Sequence, residues 1–229
     1  MPAEEPKVDI AKLPLCDDPR PGSSGTDDCK LVSRDRAGYL FVVRHLTLEE
    51  TTAIRTATRV MVVNVVSKNG KTSYDALTEA GSGLMLLAEP MLHDIDADGR
   101  DELLVPLAGG SGGTTYAVYR DSIDDPGRDA AHFVKIGEVN GSIPEHTDSG
   151  YIAVVGKGGL YEKEVAFMKI ENSQLRKIVR VEIDLKEDSS GHRHGTCKLL
   201  DASGLAGSGL TDAEVTQRFC NESIVLKYE

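Results

Sequence analysis

Asp94-Ile95-Asp96-Ala97-Asp98-Gly99-Arg100-Asp101-Glu102 runs directly into Leu103-Leu104-Val105-Pro106-Leu107, and the fold is read outward from this stretch. Carboxylates stand at loop positions 1, 3, 5 and 9, with glycine at position 6. A hard cation such as calcium takes about six to eight oxygen ligands in a flexible cage. Alternate side chains converge on one point only if the backbone curls around it, and Gly99 allows the turn that a Cβ would resist. The spacing predicts a calcium site made by the side chains of Asp94, Asp96, Asp98 and Glu102 and the carbonyl of Arg100. An EF-hand loop begins the same way but carries its bidentate glutamate at position 12. Here position 9 is the glutamate, and the apolar run behind it reads as a buried strand. No hydrolytic centre adjoins the loop, so the ion's expected role is structural.

On either side of that strand lie short apolar, β-branched runs separated by turn residues. Strands are expected at Gly38–His45, Arg59–Val66, 102–107, Thr114–Tyr119, 132–137, 151–155, 160–170, 175–184 and Ile224–Tyr228. Leu84–Leu87 is a further short apolar run. Asn69-Gly70 is a hairpin signal, and Gly156–Gly159 and Asn172–Gln174 read as turns. Asp188–Gly195 reads as a polar loop. Capping-box patterns at Thr47–Glu50 and Thr211–Glu214 predict short helices. The expected fold is mainly β: a twisted antiparallel sheet or sandwich with a structural calcium loop and one or two short helices. Residues 1–35, rich in Pro, Asp, Ser and Gly, read as an irregular arm, and 36–229 as the β-rich domain. No 20–50-residue repeat stands out, which argues against a multi-blade propeller.

The chain has 229 residues, 40% of them hydrophobic and 28% charged, enough to build a core. A formal charge of −11 excludes nucleic acid as the expected ligand, because phosphate binding needs clustered Lys and Arg. No apolar run approaches the roughly 18 residues that span a bilayer. Met1–Pro6 is polar, with no signal sequence, and reads as the start of a mature chain behind an added methionine. The four cysteines form no CxxC. Each sequential pair brackets a stretch with little to bury, so Cys16–Cys29 and Cys197–Cys220 are the expected bridges among three connectivities. Two bridges imply an oxidising compartment, where calcium is also plentiful enough to fill a weak site.

Gly109–Gly113 lacks the Gly-Lys-Ser/Thr ending of a phosphate loop, and no helix follows it. Ser111 is in no nucleophile elbow, and no catalytic pair is assigned. What remains is a side-chain-poor tip between two strands, either a plain turn or an element that enters a narrow cleft. Tyr116 and Tyr119, three apart on a strand, face opposite sides, so one can be core while the other is displayed. His93 is expected beside the calcium loop, and His192 with His194 reads as a solvated loop pair.

The loop Asp94–Glu102 with Leu103–Leu107 resembles the calcium loop of FG-GAP and related β-repeat modules. A broader resemblance covers roughly residues 85–185: an Asp-rich metal loop, a strand, then Ser111-Gly-Gly-Thr-Thr-Tyr116 in a cysteine-containing β-protein. This is similar to bacterial periplasmic lysozyme inhibitors of the calcium-binding i-type group. Those include immunity proteins that antagonise peptidoglycan hydrolases delivered by bacterium-killing secretion systems. The resemblance implies a periplasmic, non-enzymatic protein whose partner is a lysozyme-like peptidoglycan hydrolase. It implies that Ser111, Gly112, Gly113 and Tyr116 enter the enzyme's cleft. The family pattern Ser-Gly-x-x-Tyr is one residue shorter than the segment here, which makes Thr114 and Thr115 alternative contacts. The rival expectation is a calcium-stabilised glycan-binding or adhesion module, or a hydrolase on a β-scaffold.

Overall fold

The computed structural model describes residues 10–16, 28–34, 39–47, 59–66, 72–81, 89–110, 112–122, 133–159, 161–187, 189–190 and 193–228. They form three antiparallel sheets, each a meander in which neighbours in space are neighbours in sequence. The first holds β1 (Cys29–Val32), β2 (Leu40–Thr47), β3 (Arg59–Val66) and β4 (Thr72–Gly81). The second holds β5 (Met91–His93), β6 (Glu102–Gly110), β7 (Gly113–Asp121) and β8 (Phe133–Gly141). The third holds β9 (Glu145–His146), β10 (Ile152–Lys157), β11 (Glu162–Glu171), β12 (Gln174–Glu187) and β13 (Arg193–Asp201). The expected antiparallel β architecture is therefore present, as a stack of three layers rather than two.

The second sheet is the middle layer. Leu103, Val105, Ala117, Tyr119 and Phe133 meet Leu31, Phe41 and Val43 of the first sheet. Phe41 and Phe133 pack edge to face at 5.1 Å. The opposite face presents Leu104, Tyr116, Val118, Ile136 and Val139 to Ile152, Val154, Ala166 and Met168 of the third sheet. A strand buried on both sides needs no polar alternation, which accounts for the unbroken Leu103-Leu104-Val105 run. Tyr116 and Tyr119 do face opposite sides, but they are only 6% and 5% exposed. The expectation that one of them is displayed is corrected, because each face of the middle sheet has a layer on top of it.

The third sheet's other face is closed by α1 (Asp212–Cys220) and α2 (Ser223–Leu226), which bury Val215, Phe219, Ile224 and Val225 against it. The Thr211 box caps α1 as expected: its hydroxyl accepts from Glu214 N at 3.3 Å, and Glu214 Oε2 accepts from Thr211 N at 2.8 Å. The expected final strand at Ile224–Tyr228 is instead α2 and the turn after it. An apolar run that short does not distinguish strand from helix, and packing on the third sheet selects the helix.

Both disulfides join the cysteines expected, Cys16 with Cys29 and Cys197 with Cys220. The first ties part of the arm to the first sheet. Within that arm Leu15 bridges Lys30, and Cys29–Val32 pairs with β2, so the arm is not wholly irregular. The second fastens the end of α1 to β13, an edge strand. Residues 48–50 of the first capping box, the Asn69-Gly70 turn, the Leu84–Leu87 run, Ser111, His132 and His192 lie outside the described residues.

At one end the second and third sheets touch backbone to backbone. Ser142 N donates to the Val155 carbonyl at 2.8 Å, and Val155 N donates to Ser142 Oγ at 3.1 Å. Gly141 there has φ +141°, and a Cβ on it would lie 2.5 Å from the Val155 oxygen. Gly141→Ala is expected to cost about 2 kcal/mol or more, roughly 4–8 °C in Tm for a chain of this size. Gly112→Ala, with nothing within 4 Å of its Cβ, is expected to leave Tm unchanged. Thermal melts of the two variants side by side check the pair.

Candidate functional site

The loop Asp94–Glu102 joins β5 to β6, and the pairing of His93 with Glu102 closes its two ends. Its own carboxylates curl it. Asp94 accepts from Asp98 N at 3.1 Å and from Gly99 N at 2.9 Å, and Asp98 accepts from Arg100 N at 2.9 Å. Ala97 and Gly99 take left-handed conformations, φ +58° and +86°. Ile95 is fully buried in the core between the second and third sheets and anchors the loop there.

Glu102 is 0% exposed. Its Oε2 accepts from Ile95 N at 3.1 Å. Burial drives its pKa from 4.5 to about 8, and the charges of Asp96 and Asp98 push the same way. The Ile95 amide and Arg120 pull it back only in part. Carboxylate oxygens of Asp94, Asp96 and Glu102 all lie within 4.8 Å of one another. Asp96 Oδ1 and Glu102 Oε1 are buried and accept no hydrogen bond. Hard oxygen donors converging on one point, two of them lacking hydrogen-bond donors, fit a calcium ion.

Three of the expected ligand side chains thus come together as a cluster, and Asp98 sits beside them in a different partnership. Arg120 of β7 reaches across. Its Nη1 lies 2.6 Å from Asp96 Oδ2 and 3.4 Å from Glu102 Oε1, and its Nη2 pairs with Asp98 Oδ2. Sequence reasoning missed this arginine because it lies outside the loop. The signal was in the hairpin register: Leu103 pairs with Tyr119, which brings Arg120 level with Glu102.

The glycine-rich tip lies at the other end of β6. Gly110 pairs with Gly113 across the end of the hairpin. Gly112 stands in open space. Gly113 does not: its φ is +121°, and a Cβ would come within 2.7 Å of Gly141 Cα. Thr114 and Thr115 are half-buried, and Thr115 Oγ1 accepts from Asn140 Nδ2 at 2.6 Å. Tyr116 belongs to the core. Strand β6 runs nine residues from Glu102 to Gly110 at the tip, roughly 25 Å at strand rise. The loop therefore fastens the base of the β6–β7 hairpin and does not touch its tip.

A cleft of about 340 Å³ opens between the second and third sheets, with Thr115 at its rim. Two of its carboxylates, Glu138 and Glu164, are ion-paired within their own sheets, to Lys135 at 2.9 Å and Arg180 at 3.2 Å. No described helix is long and apolar enough to cross a membrane.

The chain matches no protein-family model and no curated protein. Among solved structures it is similar to a Xanthomonas type IV secretion system related protein. Identity is 17% and the TM-score 0.41, over 78% of this chain and 95% of that one. A likeness that distant carries no functional inference.

The metal-free protein is expected to lose stability as pH rises. A folded-state pKa of about 8 against 4.5 means that the folded chain keeps a proton the unfolded chain has released. That contribution is complete below 4.5 and gone above about 8. Thermal melts in chelator should show Tm falling across this window, and Glu102→Gln should flatten the fall. The same slope in both proteins would contradict the assignment.

Proposed function

We propose that this chain is an extracytoplasmic, non-enzymatic inhibitor of a lysozyme-like peptidoglycan hydrolase, of the immunity-protein kind. In this reading calcium fastens its scaffold and the tip Gly110–Gly113 enters the enzyme's glycan cleft. The observation that carries the reading is the tip: Gly110 and Gly112 have free space around them, on a sheet packed on both faces. A rigid, side-chain-poor projection enters a narrow cleft with little ordering cost.

Glycine lets the backbone approach the catalytic carboxyl groups, and the Ser111 hydroxyl supplies a hydrogen bond to one of them. A glycosidase holds one carboxyl protonated and one ionised across its cleft, so a hydroxyl finds a partner on either side. Thr115 and Asn140 form a polar shoulder behind the tip. The contact role first expected for Tyr116 passes to this shoulder, because the Tyr116 ring supports the hairpin from inside the core. Two disulfides fit folding in an oxidising compartment, and periplasm is the proposed location. A net charge of −11 favours encounter with a basic hydrolase.

The test is clearance of peptidoglycan suspensions by a panel of lysozyme-like muramidases, with wild type and Gly112→Phe. Wild type is expected to inhibit at least one of them. Gly112→Phe is expected to lose about thirtyfold or more in affinity, ~2 kcal/mol, with an unchanged Tm. Full inhibition by Gly112→Phe, or none by wild type across the panel, would contradict the proposal.

A further inference from the structure

Arg120 pairs with Asp96, Asp98 and Glu102, carboxylates that a cation would use. We propose that Arg120 is a resident counter-cation of the loop: it shares Asp96, Asp98 and Glu102 with calcium, weakens calcium binding, and keeps the loop folded when no metal is bound. The inference rests on the reading of Asp94–Glu102 as a calcium site.

The argument is one of charge and atom assignment. Asp94, Asp96, Asp98 and Glu102 bring four carboxyl groups to one short loop, and Glu102 has no access to water. Charges that close destabilise the fold unless something positive is shared among them. The guanidinium takes Oδ2 of both Asp96 and Asp98 in its planar fork and leaves Asp96 Oδ1 and Glu102 Oε1 without hydrogen bonds. Asp96 Oδ1 is the atom left to a metal alone, and Glu102 Oε1, 3.4 Å from Arg120 Nη1, would be shared by both. Arginine and metal therefore draw on the same carboxylates, and two cations so placed repel each other. The repulsion lowers affinity, while the arginine's own pairing lowers the free energy of the metal-free state. Both effects push the site toward the weak end of the calcium range, where it fills only when free calcium is high. The side chain is 14% exposed, so solvent screens this coupling only in part.

The experiment uses the full chain, calcium alone as the ligand, and the variants Arg120→Gln and Arg120→Lys. Calorimetry should show Arg120→Gln binding calcium about tenfold more tightly than wild type, ~1.4 kcal/mol. Arg120→Lys, which keeps the charge, should stay within about threefold of wild type. In chelator, Arg120→Gln should melt lower than wild type. Should Arg120→Gln be unfolded in chelator, its calcium-induced rise in Tm should exceed that of wild type. Equal or weaker binding by Arg120→Gln, or a rise no larger than wild type, overturns the role of Arg120 while leaving the calcium site intact. Absence of binding heat in both wild type and Arg120→Gln overturns the calcium reading and this inference together.

Discussion

A carboxylate sealed from water at the foot of the middle sheet sets the terms for the rest of the molecule. Glu102 begins the strand whose next residues, Leu103, Leu104 and Val105, are buried on alternate faces. Placing an acid there is costly unless hydrogen bonds and positive charge surround it. The chain supplies the Ile95 amide on one side and the Arg120 guanidinium on another. The carboxyl remains strained toward its neutral form, with one oxygen short of a hydrogen bond. The Asp loop brings carboxylates of Asp94 and Asp96 within 4.8 Å of the Glu102 carboxylate.

Three stacked sheets make this possible. A two-layer sandwich leaves one face of every sheet to solvent or loops, whereas here the β6–β7 hairpin is covered on both. Covered strands are stiff, so the hairpin behaves as a rod fastened at its base by the loop and steadied near its tip by the Gly113–Gly141 contact and the Ser142–Val155 hydrogen bonds. The disulfides act elsewhere, at the edge strands β1 and β13 of the outer layers.

Features governed by near neighbours in sequence were legible. The gathering of Asp94, Asp96 and Glu102 in one loop, the Thr211 capping box and the sequential disulfides all follow from residues a short step apart. The strands expected at 59–66, 102–107 and 114–119 announced themselves by β-branched and apolar content, and the structure extends the last two to Glu102–Gly110 and Gly113–Asp121. What could not be read depended on the third dimension. The burial of Tyr116 follows from a third layer, and composition does not count layers. Arg120 reached Glu102 through a register that shifts at the bulge between Pro106 and Ala108. Strands β4 and β13 carry Asp75, Glu79, Arg193, His194 and Lys198, so their side chains speak against a strand that sheet pairing and the Cys197 bridge enforce. The meander recurs three times in the backbone without a repeat in the residues, because each sheet packs against a different neighbour.

The account turns on whether a cation completes the environment of Glu102. Diffraction from crystals grown in millimolar calcium, with anomalous differences recorded, answers that most directly. The account predicts a peak about 2.3–2.6 Å from oxygens of Asp94, Asp96, Asp98 and Glu102 and from the Arg100 carbonyl, with Arg120 on the far side of Asp96 and Asp98. A loop with no peak, in which Arg120 alone faces Glu102 and the free oxygens bind water, would contradict it.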